Sequence, residues 1–138
     1  MRILGIDYGT KRIGLALSDE LLITAQGIET IERRDPASDI EKIGRIIADN
    51  GVREVVVCLP LNMNGTRSAK TEEADSFARS LAGSVNVPVK TQDERLTTVQ
   101  AERALLEGDM SRAKRKGLRD MLSAQLILQA YLDARRRG

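Results

Sequence analysis

The chain contains no histidine, and that absence removes whole reaction classes at once. Without an imidazole there is no Ser-His-Asp triad, no HExxH metalloprotease helix and no Cys/His zinc site. Hydrolytic chemistry is left to carboxylates, lysines or hard metal ions bound through oxygen. The single cysteine, Cys58, lies in "VVVCLP" and has no disulfide partner, so it reads as a small buried apolar residue. Aromatic rings are confined to Tyr8, Phe77 and Tyr131. That is too few for base-by-base stacking on a nucleic acid, so any such partner has to be recognised through backbone shape. No apolar run approaches the roughly 20 residues of a membrane span, and the first residues lack the layout of a signal peptide. The expectation is a cytoplasmic protein without a membrane partner.

What is present is the composition of a soluble globular domain: 138 residues, 30% charged and 41% apolar, with the two kinds mixed along the chain. This length suits one compact domain spanning residues 1–138. Net charge is only +2, but it is unevenly spread. From Arg112 to Arg119 the segment "RAKRKGLR" carries five basic residues and no acid, and the chain closes on "ARRRG". Two readings stand side by side: contact with a polyanion such as nucleic acid, or solvated cations on exposed helix faces.

Periodicity divides the chain. An apolar run over residues 2–8 and the alternation of Ile13, Leu15 and Leu17 predict two strands joined by a tight turn at Gly9-Thr10. A third strand is expected over Ile23–Ile31, with Gly27 as a bulge. "DPASDIEKIGRIIADNG" then changes to helical spacing, with Asp35 as N-cap, Pro36 at the first helical position and Asn50-Gly51 as the stop. The valine-rich run from Arg53 reads as a strand covered on both faces. A helix over 67–82, a short strand from Val87, a helix from Thr97 or Thr98 to about Glu107 and a last helix from about Leu118 to Arg135 follow. The fold class is therefore α/β: a three-strand antiparallel meander plus two parallel strands, with helices on the faces of a mixed sheet.

Three carboxylates stand where composition does not place them. Asp7 interrupts the apolar first strand in "GIDYGTKRIG", where burying a charge is costly unless a cation meets it. Glu94 follows the last strand in "DERLTT", and ligands of parallel sheets gather beyond the carboxyl ends of strands. Asp120 falls between Ala124, Ile127 and Tyr131 on the apolar face of the final helix, at about 100° per residue. Acids from two strands and a packed helix can share Mg²⁺ or Mn²⁺, and two such ions roughly 4 Å apart can activate water and stabilise a leaving oxygen. The alternative is structural: Asp7 caps the turn, Glu94 pairs Arg95, and Asp120 serves the helix terminus. Gly9-Thr10 and "LPLNMNG" likewise read either as turns or as phosphate and sugar contacts.

Taken together, "GIDYGTKRIGLALSD", "LPLNMNGT", "DERLTTVQAE" and "DMLSAQLILQAYLD" resemble the YqgF (RuvX) family, in matching order and over essentially the whole chain. The resemblance implies a ribonuclease H-like fold related to the resolvase RuvC, with a nuclease role at the 5′ end of precursor 16S ribosomal RNA. It places the family's acids on Asp7, Glu94 and Asp120. RuvC-like enzymes carry an acid at the end of the fourth strand, where this chain reads Cys58-Leu59-Pro60. Glu94 then has to serve instead, with Asp93 as an accessory. The expected function is a Mg²⁺- or Mn²⁺-dependent endonuclease, monomeric or homodimeric, that acts on precursor rRNA within the small-subunit precursor. Lys11, Arg12, Asn62, Asn64, Arg112, Lys114, Arg115 and Lys116 are the candidate nucleic-acid contacts. The alternatives are a Holliday junction resolvase acting on branched DNA, and a noncatalytic RNA-binding ribosome-assembly module. An actin-like nucleotide clamp needs two such domains, and the chain is long enough for one.

Overall fold

A computed structural model describes residues 1–62, 64–93 and 112–137. Glu94, and the helix expected between Thr97 or Thr98 and Glu107, lie outside the described residues. The elements are β1 (Arg2–Tyr8), β2 (Arg12–Ser18), β3 (Ala25–Glu32), α1 (Pro36–Asp49), β4 (Val52–Leu59), α2 (Ala69–Ser84), β5 (Val89–Asp93) and α3 (Arg112–Arg137). The five strands form one sheet in the order β3-β2-β1-β4-β5. Pairing is antiparallel from β1 to β2 and β2 to β3, and parallel from β1 to β4 and β4 to β5. The expected meander with two added parallel strands is the arrangement found.

Local chemistry sets the element ends. The Asp35 side chain accepts from the Ser38 backbone N–H at 2.9 Å, and Gly51 adopts a φ of +62° just after α1. Ser68 and Thr71 form a reciprocal capping box at the start of α2, and the Thr71 hydroxyl also donates to the Pro60 carbonyl. This stitches the loop after β4 to the helix. The bulge in β3 falls where Leu15 pairs Glu29 and Ala16 pairs Gly27, leaving Ile28 as the extra residue.

Strand alternation sorts side chains between two layers. Leu4, Ile6, Ile13, Leu15, Val55 and Val57 meet Ile43 and Ile47 of α1 and Phe77 and Leu81 of α2. On the other face Ile3, Ala16, Ala25 and Val56 meet Ala124, Leu128 and Leu132 of α3. The final helix starts at Arg112, six residues before the expected Leu118, so the basic stretch belongs to its first two turns and not to a preceding loop.

That second face is lined with small residues. Gly27, Ala16 and Gly5 are successive cross-strand neighbours, and Gly14 lies two residues before Ala16. A methyl group added at Gly5 would come 2.8 Å from the Leu128 Cβ, and one at Gly27 would come 2.5 Å from the Met121 Cγ. At Gly14 it would meet the Asp120 backbone oxygen at 1.9 Å. The backbone of α3 therefore rests directly on β2 at Asp120.

The other half of α3 is tied down by a buried acid. Glu54, 5% exposed, accepts from the Tyr131 hydroxyl at 2.6 Å and pairs with Arg135 at 3.2 Å and Lys90 at 3.3 Å. Burial, then the bond to Glu54, pushes the Tyr131 phenol up, and hydrogen bonding to Glu54 raises Lys90. Both groups titrate higher folded than unfolded. Their contribution is complete below about pH 10 and is lost as pH rises through the folded values. Glu54→Gln is expected to destabilise by about 1–3 kcal/mol at pH 8, with its half-exposed partners discounted, and to flatten the alkaline loss. Thermal melts from pH 8 to 11.5 compare the two proteins.

Candidate active site

Strands β1, β4 and β5 run parallel and end at the same edge of the sheet, next to the β1–β2 turn. Asp7 stands there, half-buried. Alternation along β1 puts it on the face of Ile3 and Gly5, which is the face α3 covers. Its cross-strand partner is Gly14, the residue on which the Asp120 backbone rests. The Asp120 carboxylate also borders the turn, since a Cβ added at Gly9 would lie 3.6 Å from its Oδ1. A strand carboxylate and a helix carboxylate, 113 positions apart in sequence, thus share one face at one end of the sheet.

The turn between them is tightly built. The Gly9 N–H donates to the Arg12 carbonyl at 2.8 Å and the Asp7 carbonyl at 3.1 Å, and a Cβ at Gly9 would come 2.7 Å from the Arg12 oxygen. Only glycine fits. Lys11 is exposed on this turn and Arg12 is half-buried at the start of β2. Behind the turn, the Arg33 guanidinium lies 4.2 Å from the Tyr8 ring centroid, and Tyr8 stacks on Phe77 at 4.2 Å. Burial raises the Tyr8 phenol and the neighbouring Arg33 opposes the rise. Arg33 escaped the sequence reading: it stands in the charged run "ERRDP", and nothing local marks it as turned inward.

Cys58 lies near the end of β4, where the family resemblance leads to the expectation of a missing acid. It is 1% exposed, packs on Ile127 of α3, and lies on the same sheet face as Asp7. Asp93 pairs with Leu59, and alternation from Val89 sends it to the opposite face, toward α1 and α2. That direction does not suit the accessory-ligand reading. Glu94 is outside the described residues, and among those residues no group of three metal-ligating side chains gathers.

Asn62 and Asn64 spend polar atoms inside their own loop. Asn62 Nδ2 donates to the Thr66 hydroxyl at 2.9 Å, while Asn64 Oδ1 accepts from the Thr66 N–H at 3.0 Å and its hydroxyl at 2.6 Å. The loop is pre-shaped, and it sits at the same sheet edge as Asp7. Arg112, Lys114, Arg115 and Lys116 occupy the first turns of α3, immediately upstream of Asp120.

Comparison with known proteins places this geometry. A family model described as "RuvX: Holliday junction resolvase" matches residues 1–134. The chain belongs to the RuvX family. A protein of Clostridium kluyveri named "Putative pre-16S rRNA nuclease" is 53% identical over 134 residues, covering 96% of this chain and 97% of its own. One of the same name from Halothermothrix orenii is 49% identical over 133 residues, covering 96% and 95%. Among solved structures, Thermus thermophilus RuvC in complex with a Holliday junction superposes with a TM-score of 0.64 at 19% identity, covering 100% of this chain and 97% of that one. The fowlpox virus resolvase bound to junction DNA gives 0.58 at 12%, covering 97% and 98%. At such identities these structures establish the RuvC-like fold of this RuvX chain.

The two carboxylates, Asp7 and Asp120, are hard oxygen donors. That chemistry fits Mg²⁺ or Mn²⁺ and not a soft metal. No described helix is long and apolar enough to cross a membrane.

Proposed function

We propose that this chain is a single-domain, divalent-metal-dependent endonuclease, cytoplasmic, that processes the 5′ end of precursor 16S rRNA during ribosome biogenesis. The observation that supports it best is the placement of Asp7 and Asp120 on one face at one end of the sheet, beside Gly14, in a chain about half identical to proteins named for that substrate. Asp7, Asp120 and Glu94 are the proposed ligands of Mg²⁺ or Mn²⁺, which when bound supplies an activated water and charge neutralisation at the phosphodiester. The chain's own residues do the rest. Gly14 lets the helix carboxylate approach the strand carboxylate, Gly9 keeps the turn close to both, and Lys11 and Arg12 are set to hold phosphates.

The α3 basic residues extend that phosphate track in this reading, with Asn62 and Asn64 at its rim. Replacing Arg112, Lys114, Arg115 and Lys116 together by Gln is expected to weaken binding to every RNA sequence alike. It should also flatten the salt dependence, by about 0.7 log units per lost contact on single strands. An unaltered slope in filter binding between 50 and 300 mM salt returns them to solvated surface.

Cleavage of branched DNA is the second reading, favoured by the RuvC-like fold of this chain. Purified protein is incubated with precursor 16S rRNA and with a synthetic four-way junction, each with Mg²⁺, Mn²⁺ or chelator. Metal-dependent cleavage of the RNA alone supports the proposal, and cleavage of the junction alone replaces it with the resolvase. Binding of RNA without cleavage under any condition makes the chain an assembly module.

A further inference from the structure

We infer that Arg33 is a positioning residue of the candidate site: it clamps the Gly9–Lys11 turn from behind and so fixes Asp7 against Asp120. Three consecutive carbonyls of the turn end on this one residue. The Arg33 Nη1 donates to the Gly9 oxygen at 2.9 Å and the Thr10 oxygen at 3.0 Å, and the Arg33 backbone N–H donates to the Lys11 oxygen at 3.0 Å. The same Nη1 pairs with Glu73 on α2, and the guanidinium plane lies over Tyr8, itself stacked on Phe77. The turn is thereby bolted to β3, to α2 and to the aromatic stack at once.

This anchoring reaches the acids through short steps. Gly9 donates back to the Asp7 carbonyl, and a Cβ built on it would lie 3.6 Å from the Asp120 Oδ1. A turn free to shift would change the spacing of the two acids, and a misplacement of about 1 Å at a reacting group can cost on the order of 100-fold in rate. A guanidinium is suited to this work because it is flat, permanently charged and several-fold a donor. A lysine in its place keeps the charge but has a shorter reach and no flat face to lie over the Tyr8 ring while its head group holds the turn. Arg33 lies on the α1–α2 side of the sheet, opposite the face that carries Asp7, so its effect is expected on geometry and not on binding of nucleic acid.

The inference rests on Asp7 and Asp120 being the acids at work, and its test separates the two. Arg33→Lys and Arg33→Gln are compared with the wild type by amide hydrogen exchange, Mn²⁺ titration and cleavage kinetics. The expected result is a loss of protection of the Gly9 amide of about 10-fold or more beyond the change in global stability, with Leu15 and Val56 unaffected. Mn²⁺ affinity should fall about 10-fold, and kcat should fall while KM is retained. Arg33→Lys should keep most of the melting temperature and still show these losses. If Gly9 protection changes only in step with global stability, the clamp is wrong. If Gly9 loosens while kcat and Mn²⁺ affinity stay at wild-type values, the turn does not position the site. A wild type that neither binds Mn²⁺ nor cleaves nucleic acid overturns the nuclease reading, while Gly9 exchange still decides the clamp.

Discussion

Asp7→Asn is expected to reduce nuclease activity by at least about 100-fold while leaving the fold intact, the loss typical of deleting one electrostatic group at a reacting centre. The amide has the shape of the carboxylate without its charge, and Asp7 is only half-buried, so packing around it changes little. The carboxylate lies on the α3 face of β1, beside the carboxylate-bearing end of that helix. Stabilisation by added Mn²⁺ is expected to vanish with the charge. A Tm lowered by many degrees in chelator would give Asp7 a structural role instead.

The second large effect belongs to a residue with no functional group. Gly14→Ala puts a methyl 1.9 Å from the Asp120 backbone oxygen, which cannot rotate away as a flexible side chain would. Helix α3 has to lift from β2. The expected cost is about 1–3 kcal/mol, a Tm lower by roughly 3–10 °C in a domain of this size. Cleavage should also be lost at temperatures where the variant is fully folded, because Asp120 moves away from Asp7. Gly44→Ala is the internal control. Nothing lies within 4 Å of a Cβ there, and within α1 alanine should stabilise by about 0.5–1 kcal/mol. Calorimetry together with a cleavage assay at 20 °C reads both variants.

The parts of this fold that were legible in the sequence are those specified locally. Asp35-Pro36 and Asn50-Gly51 bound α1 because capping depends on residues within a turn of each other. The alternation of β2 and the unbroken apolar run of β4 report which faces are covered, through side chains alone. Asp120 was recognisable because its neighbours on the helix, Ala124 and Ile127, are apolar and prove to be buried.

What stayed hidden depends on partners far along the chain. Glu54 looks like a lone charge in a valine run, and its burial makes sense only through Tyr131, Arg135 and Lys90. Gly5, Gly14 and Gly27 form one slot on three strands, yet each reads alone as a turn, a weak strand position or a bulge. The last helix is expected from about Leu118, but helical structure begins at Arg112. The helix that continues from Asp120 is held to the sheet by Ala124, Leu128 and Leu132, and propagation from such an anchored segment offsets weak local propensity.

The most direct measurement is calorimetric titration of Mn²⁺ into the wild type, Asp7→Asn and Asp120→Asn, each shown by circular dichroism to be folded. The account predicts saturable binding to the wild type that either substitution abolishes or weakens by at least about 100-fold, since each removes one charged oxygen ligand from a hard-cation site. Equal Mn²⁺ affinity in all three proteins would contradict it, because the two acids beside Gly14 would then not be what holds the metal.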